Sequence, residues 1–596
     1  MAFRKGLIST SVALGAGLAI VLSVVANAQF GGRGRGNQAY TPAEDGTDLK
    51  AVLFNWTWHM GMLRGVQEHE LMVTLEYRGE GTIQVNGQAC AITPYEELRH
   101  GELGTSGYRI SSAYQFAGSR NQIECTLPNG QAYSNVEVVS GEYAWDEDMP
   151  GAGLVPGEGT VRPMPGTREE RLIRLWASPL GAPKAALAGA GIPVDRVFRN
   201  PGGLLDEGTS TIGETSVSWD RETPVVTFPI PGVDGATAVA RLDDRYMASS
   251  VVVTHGRDTY EFTYSDYDDH NNPLNLIEVY TAGRMVESKN GEVVRDINTV
   301  VTETGSVYVV VPVPPGVGPT EPLPMYGADQ EPPEFNSDAP TPRLADGRPD
   351  LTGSWRGGNK FFIFPYGSRR CGPTQLEGCS TQWNQTVDFE FEAASRFGPN
   401  RPIYRPEHWD EVIYLDMWTN LYDPIMTCQP MGIPRQGPPG RIFHTENDIT
   451  FLYGSGGDGG GGYPDFRVMA TDGRDVNDRQ VVQTKYTGHS VGHWEGDTLV
   501  IESVGFTPAT WLARGGFFHS EDMRVVERLT RRGDQILYEV TVFDPEVLLQ
   551  PWELNPMVLS TGGGGGGRGG GGLVGTERGH CQDYELDGFI VNQIRH

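Results

Sequence analysis

From Thr215 to Glu287 the chain repeats one pattern: apolar residues at alternate positions, interrupted by short polar corners. TSVSWD, PVVTFPIP, ATAVARLDD, MASSVVVTHG, DTYEFTYSDY and LNLIEVYTAGRMVE all carry it. A period of two sends successive side chains to opposite faces, so each run reads as a half-buried strand. Gly-Asp and Asp-Asp corners are too short for anything but antiparallel reversals. HELMVTLEYRGEGTIQV and AYSNVEVVSGEYAW extend the pattern upstream. The spacing predicts a helix over 48–64, with Leu53, Trp56, Met60 and Leu63 on one face, and a second from Arg168 to Ala188 ending near Gly189. Residues 46–309 therefore read as a curved antiparallel sheet with a few helices, one face covered and the other concave or wet.

Residues 310–345 are proline-rich, which prevents a continuous ladder and reads as a stiff linker. GRPDLTGSW then opens a second domain over 346–558. Its clearest stretch is GHSVGHWEGDTLVIESVGF, where Glu495-Gly496-Asp497 turns the chain into an alternating strand. A further pair of strands meets at Arg532-Gly533-Asp534, and a Pro-Trp anchor follows. The expected fold class is mainly β: the curved antiparallel sheet, then a β-barrel or calycin-like domain, or a sandwich.

The first 28 residues combine Arg4 and Lys5, an apolar run from Leu7 to Val25, and Ala26-Asn27-Ala28, the layout of a cleaved signal peptide. Residues 29–45 read as a flexible leader. The mature chain is expected in the periplasm or outside the cell, with no transmembrane span after cleavage. A formal charge of -29 argues against a nucleic-acid partner, since phosphates need positive charge to meet them. Six cysteines in an exported chain favour disulfides. Cys90 and Cys125 share the first domain and are expected to pair. Cys371 and Cys379 bracket a short loop; Cys428 with Cys581 would tie the tail, although four cysteines allow three connectivities. Residues 559–575 are glycine-rich, and 576–596 form the tail held by Cys581.

RLDDRYMASSVVVTHGRDTYEFTYSDYDDHNNPLNLIEVY resembles a segment of bacterial exported proteins, and residues 50–305 are similar to the curved half-barrel sheets of LolA-type lipoprotein carriers. That resemblance implies an apolar concavity for acyl chains and carries over no particular binding residue. From 345 to 555 the chain resembles a second exported family, through Pro349, Leu351, Gly353, Trp355, His489, Trp494-Glu495-Gly496-Asp497-Thr498-Leu499, Gly505-Phe506, His519-Ser520, Glu527-Arg528, Asp544-Pro545 and Pro551-Trp552. It departs from that pattern at His493 and at Glu521-Asp522, and the resemblance implies no particular reaction.

His489 and His519 each precede a serine in a loop-like context. With Asp497, Glu521 or Glu527 nearby, one could serve as a general base oriented by a carboxylate. Both with one carboxylate could instead hold a metal with an open position, or both could cap loops. His489 and His493 would lie about 13 Å apart on a strand, too far to share a metal. Trp494, Trp511, Glu527 and Arg528 are candidate ligand contacts, and Trp552 a further aromatic wall. The sequence does not identify a cofactor. Asp266, Asp268 and Asp269 lack calcium-loop spacing and read as a solvated hairpin. The leading expectation is an exported protein that binds a small or lipid-like, amphipathic ligand or an envelope partner. A secreted hydrolase or lyase with a His/carboxylate pocket, and a non-catalytic interaction module, are its rivals.

Overall fold

The computed structural model describes residues 42–62 except 44, 74–96, 104–114, 117–192, 205–270, 279–304, 308–318, 334–356, 401–417, 422–424, 429–453, 466–476, 483–513, 515–554 and 556–561. The expected signal peptide, most of the leader, Cys371, Cys379, Cys428, Cys581 and the glycine-rich tail lie outside them.

The alternating runs form a fifteen-stranded sheet whose pairings are all antiparallel. Its middle is Thr74–Val85 against Glu292–Thr304, from Leu75↔Thr304 to Ile83↔Arg295. On one side the meander continues through Tyr280–Lys289, Asp258–Asp269, Ala248–His255, Thr237–Leu242 and Thr223–Pro229. On the other lie Gln88–Ile92, Tyr108–Ala113, Gly118–Thr126, Ala132–Ser140 and Tyr143–Glu147.

Helices cover one face. Leu49–His59 starts where the Asp48 carboxylate accepts the Ala51 N–H, and its Leu53 and Trp56, with the cap Met60, are buried. The single helix expected over 168–188 is two, Arg168–Ala177 and Gly181–Gly189. Pro179 is the reason. It forces Ser178 out of the helical region, to φ -58 and ψ 159, and the freed Ser178 hydroxyl accepts the Gly181 N–H. Hydrogen bonds seat both helices on the strands: Tyr264 Oη donates to Ala177 O at 2.6 Å and Thr215 Oγ1 to Ala186 O at 2.7 Å.

Cys90 and Cys125 form a disulfide between neighbouring strands, inside a small apolar cluster with Ile83, Tyr108, Ile110 and Ile123. It closes a separation of 35 residues, and loop-closure entropy makes that worth about 3–4 kcal/mol. Reduction, or Cys90→Ala with Cys125→Ala, is expected to lower the urea midpoint accordingly without altering the baseline circular dichroism.

Residues 308–313, where the proline-rich stretch begins, run buried. Arg120 donates to Val310 O and Ser140 to Val311 O, while Tyr308 Oη donates to Pro402 O and accepts the Tyr404 N–H. One apolar cluster thus runs from Val138 and Trp145 through Val311 to Tyr404 and the second domain.

The second domain is a closed β-barrel, which decides between the barrel and sandwich readings. Around it run Arg524–Arg532, Thr498–Val504, His489–Glu495, Phe466–Ala470, Asp448–Leu452, Arg441–His444, Gly353–Arg356, Met557–Thr561 and Gln535–Phe543, which pairs back on Arg524–Arg532. All neighbours are antiparallel except Phe466–Ala470 and His489–Glu495, joined in parallel at Ala470↔Val491. Outward positions include Arg441, Glu502, Arg524, Arg528 and Glu539, and also the exposed Phe443, Phe466 and Val468. Among the described residues no helix is long and apolar enough to cross a membrane.

Candidate functional site

The turn at Glu495-Gly496-Asp497 joins strands paired from His489↔Val504 to Glu495↔Thr498. Gly496 sits there at φ 61, which an L side chain resists. This hairpin separates the residues singled out in the sequence. His489 begins its first strand; Asp497 lies in the turn, roughly 20 Å away by strand rise. Asp497 is exposed and held by Arg343 at 2.7 and 2.9 Å. Glu521 is exposed as well.

His489 and His519 do come to one end of the barrel, with Phe506 between them. A Cβ on Gly488 would meet the Phe506 ring at 2.8 Å, and the Phe506 and His519 rings are 6.2 Å apart. His489 Nε2 donates to Gln483 O at 2.6 Å. His519 uses both nitrogens: Nδ1 donates to Ser520 O and Nε2 meets Thr510 Oγ1, each at 2.7 Å. Burial lowers the His519 pKa, against the pull of the Ser520 carbonyl and of Asp544, so the ring is neutral. The carboxylate of this corner is Asp544. It accepts both the backbone N–H and the hydroxyl of Ser520 at 2.7 Å. The serine hydroxyl is thereby aimed at a carboxylate and not at an imidazole, which is a buttress for a loop and not a nucleophile–base pair. Among the described residues no three His, Cys, Asp or Glu side chains converge as a metal site would require.

Trp511 and Trp552 are buried. Glu527 and Arg528 point opposite ways. Arg528 meets Glu495 outside at 2.9 Å, whereas Glu527 is inside the barrel and buried. There Arg467 Nη2 donates to Glu527 Oε1 at 2.7 Å, Nη1 lies 2.7 Å from Oε2, and Nε donates to Tyr453 Oη at 2.7 Å. Tyr538 Oη donates to Glu527, and the Ser490–Ser503 hydroxyl pair borders the guanidinium. Burial alone would lower the Arg467 pKa; Glu527 outweighs it and holds the guanidinium charged.

The opposite barrel end holds Trp494. Its ring stacks on His444 at 5.5 Å, with the Arg348 guanidinium 5.7 Å from its centre. Residues 343–351 strap across this end: Arg343 binds Asp497, Arg348 donates to Glu446 O, and the Leu351 N–H donates to His444 Nδ1 at 3.4 Å. Burial lowers the His444 pKa, with Asp350 opposing, so the ring is neutral and its proton sits on Nε2. Thr471 belongs to the same end. Its methyl is 3.3 Å from where a Cβ on Gly492 would be, and Gly492 precedes Trp494 on the same face of the strand. Three buried polar atoms here, His444 Nε2, Trp494 Nε1 and Thr471 Oγ1, have no hydrogen-bond partner among the described residues. No motif marks His444 and Thr471 in the sequence, and the RIFH and FRVMA strands that set their register carry none either.

Compared with protein-family models and with curated proteins, the chain finds no match in either.

Proposed function

We propose that this protein acts outside the cytoplasm by binding a small molecule through a carbonyl or carboxylate oxygen, held at the strapped end of the second-domain barrel. The observation that carries the reading is the group of unpartnered buried atoms on His444, Trp494 and Thr471. Two of them are N–H donors, and the third is a hydroxyl that can donate or accept. A buried polar group without a partner costs about 1–3 kcal/mol, so an oxygen acceptor that meets several of them gains that back on binding. Arg348 beside the Trp494 ring is already paired with Asp346, so the site calls for an oxygen acceptor, charged or neutral. The hydrolase or lyase reading has less support, because His489 Nε2 and both His519 ring nitrogens are engaged by backbone carbonyls and Thr510.

Ligand-observed NMR on the purified full chain with acetate, benzoate and acetamide tests this. Binding of at least one probe is expected. Trp494→Phe, which keeps the ring and removes the N–H, and Thr471→Val are each expected to weaken it by about 5–100-fold, the equivalent of one lost buried hydrogen bond. Equal binding by wild type and both variants, or no binding of any probe, removes the proposal.

A further inference from the structure

A cavity of about 30 Å³ opens in the first sheet beneath the helix Arg168–Ala177, enough for more than one water. Its wall is mixed: apolar surface exceeds polar, with hydroxyl, amide and carboxylate groups set into it. Tyr77, Ser112, Tyr114, Ser119, Asn121 and Glu137 line it, with Ile110, Val139 and Leu175 filling the spaces between.

Two observations together point to a ligand. The first is Asn121, buried at 3% exposure, whose Oδ1 has no hydrogen-bond partner among the described residues. Its orientation is fixed chemically. Asn121 Nδ2 donates to Glu137 Oε2 at 3.2 Å. Burial alone would raise the Glu137 pKa, but Arg295 at 2.7 Å and Arg174 outweigh it and keep the carboxylate ionised. An ionised carboxylate only accepts, so the amide nitrogen must face it and the amide oxygen is left over. The second observation is charge balance. The arginines around the cavity each have their own carboxylate: Arg171 with Asp146, Arg174 with Glu287 and Arg295 with Glu137, while burial pushes Lys184, over the Tyr114 ring, toward its neutral form. A charged ligand would be desolvated against a neutral surround with no counter-charge to meet it. A neutral one would not.

We infer that this cavity is a binding site, separate from the barrel end, for the hydroxyl-bearing end of a small neutral polyhydroxylated molecule. A ligand hydroxyl donates to Asn121 Oδ1 and accepts from the serine and tyrosine hydroxyls, while its carbon meets Ile110, Val139 and Leu175. The volume admits a hydroxymethyl group and leaves the rest of the molecule at the mouth.

The test is saturation-transfer NMR on the full chain with glycerol, erythritol and glucose as separate probes. Binding of at least one is expected; the linear or the ring compounds being preferred separates an open-chain polyol from a monosaccharide. Asn121→Leu removes the acceptor, and Ser119→Phe, at a partly exposed position, fills the cavity. Each is expected to weaken binding at least tenfold. Ser119→Phe, with its fold checked by circular dichroism, keeps the test decisive if Asn121→Leu does not fold. Trp494→Phe is expected to leave this binding unchanged, so the two sites can fail separately. No binding of any probe at millimolar concentration, an ordered water only, or equal binding by a folded Ser119→Phe overturns the inference.

Discussion

Lys184→Met is expected to make the protein more stable at pH 7, by roughly 2–5 kcal/mol. Lys184 lies in the helix Gly181–Gly189 with 0% exposure, and its Nζ has no hydrogen-bond partner among the described residues. What it has is the Tyr114 ring at 5.3 Å. A desolvated cation–π contact returns about 2 kcal/mol. Burial drives its pKa down from 10.5 to about 7. Releasing that proton near pH 7 from a group that holds it to 10.5 when unfolded costs roughly 5 kcal/mol at most, at about 1.4 kcal/mol per pH unit. The sign follows from proton counts. Below about pH 7 both states carry the proton, and the folded state bears the full cost of burying the charge. From about 7 to 10.5 the unfolded chain still holds the proton and the folded chain does not, so stability rises with pH across that window. Methionine fills a similar volume with no charge and no donor. Urea unfolding of wild type and variant from pH 6.5 to 9.5 gives the comparison. The expected result is a higher midpoint for the variant at pH 7, and loss of the upward slope that wild type shows. A variant less stable than wild type with the same slope would mean that the amine is stabilised where it sits.

Much of the architecture is written in local pattern. The period-two runs and the Gly496 and Gly533 turns each act over a few residues, and each is found where the sequence puts it. The stretch 168–188 breaks in two although its apolar face continues on both sides of Pro179; periodicity does not register a missing N–H. The strand FRVMA misleads more deeply. Phe466 and Val468 suggest an inward apolar face, yet both are 63% exposed, and Arg467 and Met469 point inward. What reverses the face is Glu527, a partner 60 residues away. The site residues follow the same rule. His489 and His519 could be placed at one end because both flank strand starts, but the Phe506 ring between them and the Asp544 carboxylate beneath Ser520 depend on which strands are neighbours. His444, Thr471 and Lys184 are singled out by burial without a partner, which no single-chain pattern encodes. Nothing in GAPKAALAG marks its lysine as buried.

Glu527→Gln is expected to destabilise the barrel by about 3–5 kcal/mol, the cost of leaving one half of a buried ion pair uncompensated. The substitution keeps the shape and removes only the charge. Arg467 would then stay ionised among Tyr453, Phe451 and the serine pair, with the amide turned toward it as its nearest acceptor. Arg467→Met is expected to cost a similar amount for the converse reason: Glu527, 1% exposed, would keep the Tyr538 hydroxyl but lose its counter-charge. The double variant Arg467→Met/Glu527→Leu removes both charges and both desolvation costs. It should recover most of the loss, and apolar replacement of a buried pair can be stabilising outright. A double-mutant cycle by urea unfolding measures this as a coupling energy, expected at about 2 kcal/mol or more, far above the roughly 0–1 kcal/mol of an exposed pair such as Arg528 with Glu495. Additive losses in the double variant would show that the two side chains are held by their tyrosine and serine neighbours and not by each other. Recovery would show that the pair contributes little net stability, and that its role is to fix which face of Phe466–Ala470 turns inward, so that a strand whose apolar residues favour the other face closes the barrel in one register only.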